Sequence, residues 1–531
     1  MKSTLATLLA LASVAVAENG VVNFPLNRGV PHFRVGNVRQ NVKRDTYSQA
    51  LINNITGGAY YAEVTVGTPG QKVSVVLDTG SSDLWVVSYK ADLCTDPSIQ
   101  RQWGDSCDKT YNPTKSSSYK VLEEDSFEIR YLDNSTAAGD YITDDLNIGG
   151  TTIKSLQMGY ATKTVRGAGI LGVGYSSNVA STQRYPNLID QFVAQKLITT
   201  KAYSLYLNDR RSDTGSILFG GIDKDKFIGD LSILPIYLAK GQAEPIHFEV
   251  EMQSVSLALT KNGKTTKIIS TDPSLSQTST IAILDSGTTL SYLPSKITDQ
   301  IHTKLSVYVD EIWTGLTFID CQYLTSNPDL RLSFTFGSNA TISVPVWELV
   351  LDLLGETQSE LPFKMPFKNA CIFGIQSTAG FQEDNFDEDW ALLGETFLRS
   401  AYVVYDLTHH QIGIAQANLN STTTDIVELS GADGGLPSGL TGVKEQQTSS
   451  DPSGNNAESG SGSSTDKDGG AKETETVTAG STAATGTAAS GAKETDSAAA
   501  GLSARGGAVG ALAVASLMGF LALVGGAVVA L

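Results

Sequence analysis

The sequence predicts an all-β fold with few short helices, and three observations carry that expectation. Between residues 45 and 417 the apolar runs are short, rich in β-branched residues and separated by Gly, Asn, Asp and Ser. Tyr61-Ala-Glu-Val-Thr-Val66, Val73–Leu77, Ile217–Phe219 and Tyr402–Tyr405 are examples. Helical patterning is confined to a few stretches, the best being Asn187 to Lys196 and Ser295 to Leu305. Finally, one short signature occurs twice, which points to an internal duplication.

The 531 residues are 41% hydrophobic and 18% charged, with 51 Gly and 4 Cys, which excludes collagen, a disulfide-dense miniprotein and a wholly disordered chain. The net charge of -18 argues against a nucleic-acid partner, because phosphate binding needs Lys and Arg. The charge is spread unevenly, and the chain divides by composition.

Residues 1–17 place Lys2 before an apolar run that ends in Ala15-Val16-Ala17. This is a secretory signal pattern with cleavage before Glu18; a buried N-terminal helix is the alternative. Residues 18–44 carry a net charge of +4 and end in the dibasic pair Lys43-Arg44. They read as a pro-segment cut after Arg44, the alternative being an ordinary N-terminal strand. Residues 45–417, 373 in number and of net charge -16, hold the strand pattern. Residues 418–505 contain no aromatic residue and no Cys and are dominated by Ser, Thr, Gly and Ala. Such composition cannot offset its ordering entropy, so a disordered stalk is expected, O-glycosylated or a plain linker.

The last 24 residues, Ala508 to Leu531, are uncharged and long enough to span a bilayer, but no Lys or Arg follows them. The small residues Ser497-Ala498-Ala499 precede them, as in a GPI-attachment signal whose tail is removed. Ser497 is the expected attachment residue, with Gly491 second and a retained transmembrane helix as the other reading. The expected divisions are thus a stalk over 418–497 and an attachment propeptide over 498–531. The expected location is the extracellular face of the cell membrane, or the cell wall. Four sequons suit that route, at Asn54, Asn134, Asn339 and Asn420. In an oxidising compartment the four Cys should pair, with three connectivities open.

The repeated signature carries the chemistry. Val76-Leu-Asp78-Thr79-Gly80-Ser81-Ser82 is echoed 207 residues later by Ile283-Leu-Asp285-Ser286-Gly287-Thr288-Thr289. Each copy is followed by an apolar-apolar-Gly tripeptide, Ile170-Leu171-Gly172 and Leu392-Leu393-Gly394. Two Asp side chains brought within hydrogen-bonding reach cannot both ionise cheaply, so they share a proton. One carboxylate can then act as general base on a water while its protonated partner acts as general acid. The Gly permits a tight turn and close approach of the other copy. The flanking hydroxyls orient the carboxylates and satisfy buried groups.

With these motifs the chain resembles the pepsin-like aspartic protease family over roughly Tyr60 to Ala417, and most closely its fungal GPI-anchored yapsin and candidapepsin-like branch. The resemblance implies a bilobal fold with the active-site cleft between an N-terminal lobe, 45–235, and a C-terminal lobe, 236–417. It implies that Asp78 and Asp285 are the catalytic dyad, that Thr79 and Ser286 exchange hydrogen bonds across the lobes, and that Ser81 and Thr288 bond the outer carboxylate oxygens. It implies a flap hairpin over the cleft at Ile129-Arg-Tyr131-Leu-Asp133-Asn-Ser135, with Tyr131 closing over substrate and Trp85 supporting it. Leu132 and Asn134 stand where the family usually has Gly, and a glycan on Asn134 would crowd the cleft.

In related fungal enzymes an acidic residue at the position of Asp133 can accept a basic substrate side chain; a turn-forming Asp is the alternative. The acidic run Glu383–Asp389 is either a solvated loop or a negative collar favouring Lys or Arg near the scissile bond. Pairing Cys94 with Cys107 and Cys321 with Cys371 keeps each bridge within one lobe, as in the family. Each would contribute about 3 to 4 kcal/mol by loop closure.

No metal site is expected, since there is no C-x-x-C or H-E-x-x-H, and His409-His410 suits a hairpin turn. No Gly-rich phosphate loop leads from a strand into a helix, and no cofactor is expected. The resulting expectation is a secreted, monomeric, GPI-anchored acid endopeptidase acting on proteins and peptides, with a preference for basic residues near the scissile bond. The basic pro-segment is expected to dock over the acidic cleft at neutral pH and to loosen on acidification. A catalytically inactive pepsin-like binding protein and a wall-linked structural glycoprotein are the competing classes.

Overall fold

A computed structural model of the chain describes residues 22–28, 59–103, 105–107, 109–212, 214–239, 241–261, 264–270, 280–312, 314–337, 340–354, 358, 361, 363–380, 390–430 and 434–446. The signal peptide, Lys43-Arg44, Asn54, Asn339, the acidic run 383–389, Ser497 and the apolar C-terminal tail lie outside these residues. Among the described residues no helix is long and apolar enough to cross a membrane.

Alternation sets the strands. In Tyr60–Val66, Tyr60, Ala62, Val64 and Val66 are buried while Glu63 is exposed, the period-2 pattern of a strand with one face on a core. Thirteen strands form one large sheet. It runs from Phe227–Pro235 through Gln411–Ala417, Ala401–Asp406, Ala202–Tyr206, Thr214–Phe219, Val22–Arg28 and Tyr60–Val66 to Gln71–Asp78, and on to the hairpin Lys120–Arg130/Thr136–Ile148 at its far edge. An eight-stranded sheet centred on Glu249–Lys261, Thr280–Leu284 and Trp390–Leu393 builds the other half. One apolar cluster passes through both halves, including Leu77 and Tyr203 in the first and Phe248 and Leu284 in the second.

Helices are few and short. Leu188–Ala194 starts at a capping box in which Asn187 and Asp190 satisfy each other's backbone N–H groups. Ser295–Leu305 is the longest among the described residues, at 11 residues.

Three features depart from, or refine, the sequence expectations. Ala401–Asp406 and Gln411–Ala417, expected in the second lobe, join the large sheet beside Ala202–Tyr206 and Phe227–Pro235. Within the basic stretch, Val22–Arg28 is a strand inserted between Thr214–Phe219 and Tyr60–Val66.

The third is a correction: the chain is not a structureless stalk from 418 onward. Ile426–Glu428 pairs with Gly221–Asp223, Val443 and Thr441 bridge Ile228 and Asp230, and Leu429 and Leu436 are buried beside Phe227, Leu231 and Tyr402. The Leu and Ile residues between 419 and 440 supply the apolar surface that pays for this order. Averaging over the Ser/Thr/Gly/Ala-rich residues that follow conceals them.

Candidate active site

Both copies of the Asp signature are held by the same three-strand device. Gln71–Asp78 runs parallel to Gly169–Gly172, with Asp78 opposite Gly172. Thr280–Leu284 runs parallel to Trp390–Leu393, with Leu284 opposite Leu393. On the other side of each supporting strand an antiparallel partner follows, Leu84–Val87 in the first copy and Ser291–Leu293 in the second. The apolar-apolar-Gly tripeptides are therefore the strands on which the Asp strands lean. Their glycines are forced by packing: a Cβ would lie 2.6 Å from the Asp83 nitrogen at Gly172 and 2.2 Å from the Leu290 oxygen at Gly394.

The two turns meet through reciprocal bonds. The Thr79 hydroxyl donates to the Leu284 carbonyl at 2.9 Å and accepts from the Ser286 N–H at 2.9 Å. The Ser286 hydroxyl donates to the Leu77 carbonyl at 3.0 Å and accepts from the Thr79 N–H at 3.2 Å. Gly80 N–H donates to Asp78 and Gly287 N–H to Asp285, each at 2.8 Å. The hydroxyls of Ser81 and Thr288 donate to the other oxygen of each carboxyl group.

Both Asp side chains are fully buried. Burial, then the charge of Asp285, pushes Asp78 well above the usual carboxylate range. Burial also raises Asp285, against the opposing bonds from Thr288 and Gly287. One proton held between two buried, hydrogen-bonded carboxyl groups is the state this geometry favours.

The hairpin Lys120–Arg130/Thr136–Ile148 carries Tyr131 at its tip, close enough to Asp78 to feel its charge. Tyr131 N–H donates to the Ser135 carbonyl at 3.0 Å and Asn134 N–H to the Tyr131 carbonyl at 2.8 Å. Asn134 takes φ 64, which Asn tolerates, so it substitutes for a turn glycine. Leu132 has a different reason for being there: it is 4% exposed and packs with Ile283, Leu290, Tyr292 and Leu316 of the opposite half. Trp85 Nε1–H donates to the Tyr131 hydroxyl at 2.8 Å.

Asp133 departs from the role of a waiting acceptor. One of its oxygens accepts the Ser135 N–H at 2.8 Å and the other binds the guanidinium of Arg166. The turn-forming alternative describes its first bond, and the ion pair with Arg166 takes up its charge.

Sequence reasoning missed several supporting residues. Asp83 is buried and receives the Tyr185 hydroxyl at 2.6 Å, the Tyr141 hydroxyl at 3.1 Å and the Ala180 N–H at 2.7 Å. His247 is buried, and burial pushes its imidazole down to about 4. Beneath the second copy, Arg399 donates to the Glu348 carboxylate at 2.7 Å with both side chains fully buried. None of these belongs to a local motif.

The bridges are Cys94–Cys107 and Cys321–Cys371. Among the described residues the one grouping with metal-ligand spacing is Cys321, Asp352 and Cys371, and the disulfide consumes both sulfurs. His409 and His410 lie in the turn before Gln411–Ala417. Asn134 and Asn420 are exposed.

The family model for eukaryotic aspartyl proteases matches residues 59–417. A probable aspartic-type endopeptidase, opsB, of Aspergillus fumigatus is 38% identical over 426 residues, 79% of this chain and 80% of that protein. An acid protease of Saccharomycopsis fibuligera is 36% identical, covering 67% and 80%. Secreted aspartic protease 3 of Candida albicans is 34% identical, covering 74% and 87%.

Proposed function

Because the chain belongs to the pepsin-like eukaryotic aspartyl protease family and is an aspartic endopeptidase, we propose that Asp78 and Asp285 are its catalytic pair, acting at acid pH. The observation that carries this reading is the meeting of the two Asp turns through Thr79 and Ser286, which brings two fully buried carboxyl groups together.

In the proposed cycle, the ionised carboxylate removes a proton from a water between the two groups. The oxygen of that water attacks the peptide carbonyl carbon, while the protonated carboxyl gives its proton to the carbonyl oxygen. The resulting gem-diol collapses as the amide nitrogen takes the proton from the carboxyl that received it from water and the C–N bond breaks, while a gem-diol hydroxyl gives its proton to the other carboxylate as the new acid's carbonyl forms, so that the pair is again singly protonated. Ser81 and Thr288, with the N–H groups of Gly80 and Gly287, hold the carboxyl groups in place at no reorganisation cost during reaction. Tyr131, braced by Trp85, covers the reacting centre.

The finer reading is a secreted zymogen, anchored through GPI at Ser497 and monomeric, on the outer membrane face or in the wall. Support comes from the signal pattern, Lys43-Arg44, the uncharged tail and the name of the secreted Candida relative. Asn134 and Asn420 are exposed acceptors for N-glycans, and Asn54 and Asn339 complete the set. A preference for basic residues near the scissile bond draws support from the net charge of -16 on residues 45–417. Asp133 does not supply that support, since Arg166 holds its carboxylate.

The test is cleavage of a peptide library between pH 3 and 6, with and without pepstatin, by wild type and Asp285→Ala. Pepstatin-sensitive cleavage by wild type alone is expected. Absence of such cleavage at every pH would overturn the enzyme reading.

A further inference from the structure

The flap tip contains a carboxylate that the proposed chemistry does not use. The Asp133 side chain is 2% exposed, and a carboxylate so buried is tolerable only with a partner. Arg166 is that partner, and it reads more than one flap residue. Its guanidinium binds Asp133, its Nε–H donates to the Ser135 hydroxyl at 3.0 Å, and its central carbon stands 5.8 Å from the centroid of the Tyr131 ring.

Arg166 is itself fixed. Its N–H donates to the Thr164 hydroxyl at 3.0 Å, and that hydroxyl returns a bond to the Arg166 carbonyl at 3.1 Å. The next residue, Gly167, donates to Asp105 at 2.8 Å, inside the loop closed by Cys94–Cys107. A Cβ on Gly167 would lie 2.2 Å from the Ser106 carbonyl oxygen, so this loop is pressed against the disulfide loop.

The Asp133 carboxylate belongs to the turn at the flap tip, where the two halves meet. Its neighbour Leu132 packs with Ile283, Leu290 and Tyr292 of the opposite half, and Tyr131, whose hydroxyl accepts from Trp85, closes the same turn by bonding Ser135. An arginine anchored on three groups of its own lobe has already lost its freedom, so a substrate ammonium gains little by competing for Asp133.

We infer that Arg166 is a specificity-determining residue: as the built-in counter-ion of Asp133, it closes the subsite beneath the flap to cationic side chains and reserves it for apolar ones. This assignment rests on Asp78 and Asp285 being the catalytic pair beneath the flap.

Peptides differing only by Leu, Lys or Glu, scanned through each position flanking the scissile bond, test it at pH 5.5. Wild type is expected to favour Leu over both charged residues at the position under the flap. Arg166→Gln uncovers the Asp133 carboxylate and raises the Lys-to-Leu ratio of kcat/KM there about tenfold or more, the scale of a charge-assisted hydrogen bond. Asp133→Asn leaves Arg166 facing the cleft and raises the Glu-to-Leu ratio several-fold, on the same scale. The double variant shows neither gain.

An Arg166→Gln enzyme that cleaves the Leu peptide with an unchanged Lys-to-Leu ratio would overturn the inference. So would a Lys gain that survives in the double variant. Should Arg166→Gln not fold, an unchanged Glu-to-Leu ratio in Asp133→Asn overturns it independently. Failure of wild type to cleave any peptide in a pepstatin-sensitive way would instead remove the functional reading on which the inference stands.

Discussion

The two copies of the Asp turn are alike at the carboxyl groups and unlike one layer away. Each Asp accepts from the glycine two residues on and the hydroxyl three residues on, and each leans on a strand ending in a crowded glycine. Behind the first copy, Asp83 is held by two tyrosine hydroxyls and a backbone N–H. Five residues past Asp285 the corresponding place is Leu290, part of an apolar cluster, and the buried charge beneath that half is instead the Arg399–Glu348 pair. The chemistry requires symmetry only where the proton is shared. The surrounding support was free to diverge, so the two lobes should fail differently when perturbed.

The largest expected effect tests the symmetric part. Asp78→Asn and Asp285→Asn should each lower kcat by about 10⁴-fold with little change in the thermal transition. A variant retaining even a tenth of wild-type kcat would break the equivalence of the two copies.

Next comes the asymmetry in stability. Arg399→Met strands the Glu348 carboxylate in the core and should cost about 3 to 5 kcal/mol in urea unfolding. Asp83→Asn removes a charge but keeps a hydrogen-bonding amide, and should cost about 1 to 3 kcal/mol. Equal losses would show that the two supports are equivalent after all.

A smaller effect separates the lobes by pH. Glu249 lies beside the second Asp strand, and burial alone raises it to about 7. Its native value lies above its unfolded value of 4.5, so the native state holds the proton longer. Stability from this group is therefore complete below about 4.5 and falls as pH rises toward 7, by about 3 kcal/mol. Glu249→Gln should flatten that decline in a series of melts, and an unaltered slope would assign the decline to other groups.

The smallest effect concerns the flap, which only the first lobe carries. Trp85→Phe removes the N–H donated to Tyr131 and should reduce kcat/KM by about five- to tenfold, the worth of roughly one hydrogen bond. A stable variant with undiminished kcat/KM would show that Tyr131 is positioned by packing alone.

What could be read in the sequence was local or repeated. Alternation revealed strands such as Tyr60–Val66, Asn187 and Asp190 lie at the start of an expected helix, and the Asp turns announced themselves by occurring twice. Arg166, Asp83, His247 and the Arg399–Glu348 pair could not be read, because each gains its role from a partner dozens of residues away. Arg166 acts on Asp133 from 33 positions along the chain, with no motif around it. Leu132 shows the same limit: as a departure from glycine it had no explanation until the opposite lobe supplied its contacts. The order in residues 418–430 and 434–446 was hidden by averaging, since composition over a long window cannot register a handful of leucines that join an apolar cluster.

That segment has a mechanical consequence. The Gln446 side chain donates to the Asn418 oxygen at 3.2 Å and the Leu419 carbonyl at 2.6 Å, and accepts the Leu419 N–H at 3.1 Å. Tension applied to the residues beyond it would load these bonds first, then the bridges at Val443 and Thr441, and only afterwards the short ladder of Ile426–Glu428. The contacts give way in sequence, each lengthening the tether and dissipating load before it reaches the strand Gln411–Ala417. Were the body tethered through the chain beyond Gln446, these contacts would act as a sacrificial strap that yields before the strand Gln411–Ala417, which shares one sheet with the strand carrying Asp78.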